Sequence, residues 1–112
     1  MRPPKTYTVV ELLGDGISSE LSNAVHTVAD ALPCRFQFAP VDLSLDERTR
    51  RGSSVYDEAV ELVRAHRVSL KYPTVTETES PNAILRDRLA FAVIHRPVMT
   101  IPGVATNFTK NL

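Results

Sequence analysis

Hydrophobic and polar positions alternate along this chain with two different periods. Thr6 to Leu13 is rich in β-branched residues and ends at Gly14-Asp15-Gly16, the pattern of a strand running into a turn. Leu21, Ala24, Val25, Val28 and Leu32 then recur at helical spacing and predict the buried stripe of a first helix. Ser18 or Ser19 can cap that helix by accepting a backbone N–H, and Pro33 ends it. Cys34 to Asp42 alternates as a second strand, with Phe36 and Phe38 on one face. Ser44 to Ser53 is polar and charged and reads as a loop. Ser54 with Asp57 resembles an N-cap and an acidic first turn; Tyr56, Ala59, Val60 and Val63 mark the buried side of a second helix. Arg67 to Tyr72 reads as a third strand, followed by a Thr/Glu-rich loop from Pro73 to Glu79. Ser80 as cap and Pro81 at the first helical position open a short helix through Leu89. Phe91 to Met99 reads as a fourth strand, with Pro97 making its far end an edge or an irregular stretch.

The order β-α-β-α-β-α-β predicts an α/β fold of three layers, a mostly parallel four-stranded sheet with helices on both faces. We expect strand order 2-1-3-4 and right-handed crossovers. In such sheets ligands settle beyond the carboxyl ends of the strands. Here those ends carry Gly14-Asp15-Gly16, Tyr72 to Ser80, and the segment after Val98.

Composition narrows the functions. The 112 residues suit one small domain, and 43% hydrophobic content favours a folded chain over a disordered one. Thirteen basic residues balance thirteen acidic ones, which argues against nucleic acid or an anionic membrane as partner. No apolar run is long enough for a transmembrane helix, and the start does not read as a signal peptide. The single Cys34 excludes an internal disulfide, reads as a small half-buried residue, and fits a cytoplasmic setting. Between Arg64 and Arg96 six Lys or Arg face three acids, which suits a small acidic ligand.

Arg86 and Arg96 are the first candidates for binding chemistry, because guanidinium groups grip carboxylates through paired, charge-assisted hydrogen bonds. Asn82 lies one helical turn before Arg86, and Ser80 adds a hydroxyl at the helix start, where free N–H groups favour an anion. Spacing alone also allows Ser80 to be a cap and both arginines to be surface residues. Gly14-Asp15-Gly16 lacks the rest of a dinucleotide fingerprint and has no P-loop lysine, so a plain strand-to-helix turn is favoured. His26 reads as a surface or packed residue, and His66 as a helix-end cation. His95, beside Arg96, is the histidine nearest the proposed pocket and a candidate general acid or base. No cluster has metal-ligand spacing, and no Ser-His-Asp set is suggested; neither metal nor cofactor is expected.

Several segments together resemble the beginning of the isocitrate/isopropylmalate dehydrogenases. Gly14-Asp15-Gly16-Ile17 with Glu20 resembles their GDGIGPE opening; Val55-Tyr56-Asp57-Glu58-Ala59 is similar to their second-helix region. Leu70-Lys71-Tyr72-Pro73 resembles the LKGP strand end, Ser80-Pro81-Asn82 with Leu85-Arg86 the substrate motif, Arg96-Pro97-Val98 the RPV strand, and Ile101-Pro102-Gly103 the turn after it. The resemblance covers nearly all of residues 1–112, read as a single domain. It implies that Ser80, Asn82, Arg86 and Arg96 hold the carboxylates of a malate-type substrate, with Thr74 or Thr76 near nicotinamide or substrate. Two features depart from the pattern. Ser18-Ser19 replace Gly-Pro, and Tyr72 replaces the glycine of LKGP, so its ring either fills nicotinamide space or lines a new apolar pocket.

In that family the metal-binding aspartates, the catalytic tyrosine and lysine, a further substrate arginine and the adenosine-binding loop all follow the region matched here. The sequence therefore leads us to expect a truncated, repurposed domain without redox activity. It would bind an acidic or polyketide-like metabolite and speed its cyclisation or isomerisation, with Tyr72 and His95 as candidate catalytic groups. The alternatives are a subunit or fragment of a dehydrogenase completed by another chain, and a non-catalytic binding or regulatory module. Surfaces that later segments would cover lead us to expect a homodimer or larger homo-oligomer.

Overall fold

The computed structural model describes residues 5–110. Strand β1 (Thr6–Leu13) is central in a three-stranded parallel sheet of order β2-β1-β3, flanked by β2 (Arg35–Asp42) and β3 (Ser69–Lys71). β1 pairs with β2 over its full length, from Thr6 opposite Arg35 to Leu13 opposite Asp42. With β3 it pairs only from Val10 to Leu12. The order of these three strands is the one expected. The expected start of the third strand at Arg67 is not seen: Arg67 has φ 72° and closes the preceding helix in the left-handed conformation.

Because side chains alternate across a strand, β1 sends Val10 and Leu12 to one face and Glu11 to the other. The first face carries the core. Val10 and Leu12 pack with Val41 and Leu43, with Val55, Tyr56, Ala59, Val60 and Val63 of α3 (Ser54–His66), and with Leu85 of α4 (Pro81–Leu89). Each fully buried aliphatic side chain here contributes about 1.5–3 kcal/mol. The stripe expected for this helix is thus the one buried. Helix α1 (Ser18–Asp30) lies on the Glu11 face, so helices cover both sides of the sheet.

Helix α1 corrects two expectations. Its buried residues are Ser18 and Ser22, while Leu21 and Val25 are half-buried, and Ala24, Val28 (61% exposed) and Leu32 face outward. The central strand presents a carboxylate, Glu11, to this helix, and a buried carboxylate needs donors rather than methyl groups. The helix is therefore turned with its serines inward. Nor does Ser18 or Ser19 cap it: Ile17 occupies the cap position, Ser18 Oγ accepts from the N–H of Gly14, and Ser19 Oγ donates to Glu20.

Residues 44–53, expected as a loop, contain helix α2 (Leu45–Arg51). Ser44 caps it by accepting from the N–H of Glu47, and Asp46 and Glu47 stand in its first turn. Ser54 is not the cap of α3: it is the first helical residue, and its hydroxyl donates to Arg51 O. At α4, Ser80 accepts from Ala83 N and Pro81 takes the first helical position, as expected.

The fourth strand is absent from the sheet, which has three strands rather than four. Phe91–Met99 makes no ladder, and most of it is exposed, with Val93 at 81%. β3 offers a partner edge of only three residues, Pro97 has no N–H to give, and no helix of the described residues covers the side chains such a strand would present. Nothing buried offsets the entropy of ordering it.

Candidate functional site

The carboxyl end of the sheet is built around Asp15 and Arg48. Gly14 lies so close to Pro73 that a Cβ there would stand 1.9 Å from Pro73 O, and the next residue, Asp15, donates its N–H to the same carbonyl at 2.8 Å. This fixes the Asp15 carboxylate over the loop, where it accepts from Leu45 N and Val75 N, both at 2.8 Å. Arg48 of α2 enters from the other side with its side chain only 2% exposed. Its Nε donates to Leu43 O at 2.8 Å and its Nη2 to Val75 O, while Asp15 lies at 3.4 Å and Glu79 at 3.7 Å. Burial pushes the Asp15 carboxyl up, but the two backbone N–H groups and the Arg48 guanidinium outweigh it, and the net shift is downward. Gly14-Asp15-Gly16 is therefore a structural turn. Its aspartate ties three elements together.

Lys71 stands at the end of β3, half-buried, with Nζ 3.0 Å from both Tyr72 O and Thr74 Oγ1. Burial lowers its pKa first, and the charges of Arg48 and Arg96 lower it further against the opposing pull of Asp15.

The binding residues expected from sequence fall on α4 and the segments beside it. Ser80 Oγ is engaged as the helix cap. Asn82 is half-buried and Arg86 exposed, one turn apart on one face of α4, while Arg88 turns the other way to meet Asp57 on α3 at 2.7 Å. Neither Arg86 nor Arg96 forms an ion pair among the described residues. Thr74 accepts from Lys71, Thr76 is exposed, and His95 and Arg96 lie on the exposed segment after α4.

Tyr72 does not open toward that edge. It is 4% exposed, and its hydroxyl donates to Glu11 Oε2 at 2.8 Å on the opposite side of the sheet. Glu11, 3% exposed, also accepts from Ser22 Oγ at 3.2 Å and meets His26 Nε2 at 2.8 Å. The His26 ring stacks on Phe38 with centroids 4.2 Å apart. Burial, and then the Glu11 carboxylate, push the Tyr72 hydroxyl up to about 12. This cluster consumes the ring that the sequence left for nicotinamide space or a new pocket.

Two open depressions flank the molecule. One of about 360 Å³ lies between α2, α3 and the 77–79 segment, lined by Thr49, Ser53, Tyr56, Glu79 and Arg88. Tyr56 there donates to Glu79 at 3.0 Å, and burial followed by that carboxylate pushes its hydroxyl up to about 12. The other, of about 390 Å³, lies at the amino end of β1 beside Tyr7, Phe36 and His66. None of Ser80, Asn82, Arg86 or Arg96 lines either one. Among the described residues no helix is long and apolar enough to cross a membrane.

Sequence reasoning missed Arg48 and Glu11. The signal for Arg48 was Ser44 followed three residues later by Glu47, a capping pattern that announces α2. No family model matches the chain. It is 30% identical over 106 residues to isocitrate dehydrogenase (NAD) subunit 1, mitochondrial, of Schizosaccharomyces pombe, a match that takes in 89% of this chain. The chain spans 30% of that relative's length. The similarity is thus a distant one to part of a dehydrogenase subunit, carried on an α/β frame.

Proposed function

We propose that this chain supplies the carboxylate-binding part of a hydroxy-acid dehydrogenase-type site, with Arg86 and Arg96 as the principal ligands and Asn82 and Ser80 beside them. The observation that carries the reading is that both guanidinium groups lack an acidic partner among the described residues, in the order and spacing of a substrate motif. A carboxylate between them replaces water with charge-assisted hydrogen bonds. Metal polarisation of the hydroxyl, a base to take its proton and a seat for nicotinamide would come from sequence outside these 112 residues, in the same polypeptide or a second one. Val93, Ile94, Val98 and Met99 are exposed apolar side chains that such a remainder would cover.

The test is a titration of the purified chain with isocitrate and with 3-isopropylmalate, followed by calorimetry and by amide NMR shifts. We expect binding without NAD(P)H formation, weakened about tenfold by Arg86→Ala and likewise by Arg96→Ala, the loss of one charged hydrogen-bond pair. Unchanged binding in both variants overturns the reading. A non-redox use of the same pocket, cyclising or isomerising an acidic or polyketide-like metabolite with Tyr72 or His95, competes with it. That use predicts turnover by the chain alone, with no gain when a dehydrogenase subunit completing the fold is added. The buried placement of Tyr72 gives it no route to a ligand from the carboxyl edge.

A further inference from the structure

The depression of about 360 Å³ between α2, α3 and the 77–79 segment brings charges of both signs to one cavity, and the proposed carboxylate ligands take no part in it. Its volume lies at the lower end of the range of small-molecule pockets. Arg48 and Arg88 line it together with Glu77 and Glu79, so its formal charge is balanced. Arg48 is engaged inside the fold with Asp15 and the Leu43 and Val75 carbonyls. Glu79 and Arg88 are more open, with side chains 43% and 37% exposed. Each is steadied at one end and unclaimed at the other. Glu79 Oε1 accepts from the Tyr56 hydroxyl at 3.0 Å, while Oε2 has no partner among the described residues. Arg88 Nη2 donates to Asp57 at 2.7 Å, while Nε and Nη1 have no partner among the described residues. An exposed ion pair such as Arg88–Asp57 is weak, so it positions the guanidinium without consuming it.

We propose that this cavity binds a small zwitterion, an α-amino acid with an aliphatic side chain, its ammonium on Glu79 and its carboxylate on Arg88. A lone anion would meet two carboxylates here and a lone cation two guanidinium groups, whereas a molecule carrying both charges close together matches the balanced wall. The ammonium has three donors, and Glu79 Oε2 is an acceptor without a protein partner. The N–H groups that Arg88 keeps form charge-assisted hydrogen bonds to the ligand carboxylate. Thr49 and Ser53 line the same cavity, and their hydroxyls have no partner among the described residues, so they add donors for that carboxylate. Leu45 and Ile84, both half-buried, supply the apolar part of the wall against which the aliphatic chain leaves water. Because Tyr56 and Asp57 already hold the two charged side chains, less ordering is left for the ligand to impose.

The test is a titration of the purified full chain with L-norleucine, followed by amide NMR shifts. Hexanoate, which lacks the ammonium, and pentylamine, which lacks the carboxylate, are titrated alongside. We expect saturable shifts centred on Thr49, Ser53, Glu79 and Arg88, with a dissociation constant of about 1 mM, as suits so small a molecule. Each single-ended analogue should bind about tenfold more weakly, the loss of one charge-assisted contact. Glu79→Gln keeps an acceptor for Tyr56; it should weaken norleucine and pentylamine about tenfold and leave hexanoate unchanged. Arg88→Gln should weaken norleucine and hexanoate and leave pentylamine unchanged. The analogue series needs only the wild-type chain and decides the matter if a variant does not fold. Norleucine that binds no tighter than both analogues, or that shifts no residue of the cavity, overturns the proposal. Isocitrate added to the norleucine-saturated chain should leave the cavity shifts in place, because Asn82 and Arg86 lie outside it. Displacement by isocitrate would put norleucine at the carboxylate site and overturn the proposal too, so the two sites stand or fall separately.

Discussion

Replacing Tyr72 by phenylalanine removes one oxygen from the buried polar cluster around Glu11. The ring fills the same volume, so no cavity is made. What is lost is the donor at 2.8 Å to Glu11 Oε2, a carboxylate that is 3% exposed and keeps Ser22 and His26 as its remaining partners. A hydrogen bond to a charged group contributes about 1.5–3 kcal/mol, and a donor removed from a buried acceptor lies at the upper part of that range. For a chain of this size about 2 kcal/mol lowers Tm by roughly 8 °C. The pH dependence supplies an independent check. The folded hydroxyl is raised to about 12 from an ordinary 10, so its contribution is fully present below pH 10 and is lost as pH rises toward 12. The wild-type chain should therefore lose stability faster than Tyr72→Phe across that interval, and the gap between their melting curves should narrow. Tyr56 is common to both proteins and cancels in the difference. Scanning calorimetry from pH 7 to 11 measures both effects. A Tm for Tyr72→Phe within about 1 °C of wild type at pH 7 would refute the reasoning, as would a gap that stays constant with pH.

Other substitutions probe the carboxyl edge. Gly14→Ala must push the Pro73 carbonyl away from a Cβ that would stand 1.9 Å from it, and should cost about 1–3 kcal/mol in urea unfolding, with amide shifts spreading through 73–75. Arg48→Met leaves Asp15 without its guanidinium and the Leu43 and Val75 carbonyls without donors, for a loss of about 3 kcal/mol by the same measurement. Asp15 has its pKa lowered in the fold, so its contribution holds above the ordinary value of 3.8 and disappears as pH falls through the lower folded value. Asp15→Asn should flatten the acid limb of the stability curve, measured by urea midpoints between pH 5 and 2. Glu11→Leu combined with Tyr72→Phe should cost less than the sum of the single changes, because together they remove both ends of one buried contact.

The sheet's strand order, α3 and the start of α4 were legible because their signals are local and agree with the packing. Val55 to Val63 follows one helical stripe, and Ser80-Pro81 marks a helix start by chemistry alone. The fourth strand was illegible for a non-local reason. Phe91–Met99 has strand composition, but a strand exists only with an edge to pair and a layer to cover it, and β3 offers three residues. The orientation of α1 failed for a related reason. Its apolar stripe is real, yet Glu11 at the centre of the sheet overrides it, and a single glutamate among Val10 and Leu12 does not reveal which face it serves. At the candidate site, residue type and spacing name Arg86 and Arg96 as candidates, and their role stands as the proposal above. Arg48 was hidden because the three elements it joins lie far apart in sequence.

The position of β1 also governs how the chain can be made. It is synthesised before both of its neighbours, yet it is the middle of the sheet, with β2 on one side and β3 on the other. On leaving the ribosome its two edges are open at once. One waits about 30 residues for β2, the other about 60 for β3 and for the Pro73 carbonyl that Asp15 seizes. Until then Val10 and Leu12 have no layer to cover them, and the nascent chain is held together by no more than the β1–α1–β2 unit and its Glu11 contacts. A parallel sheet that begins at its centre thus makes the earliest strand the last to be enclosed, and ties the safety of synthesis to the speed at which the second half arrives.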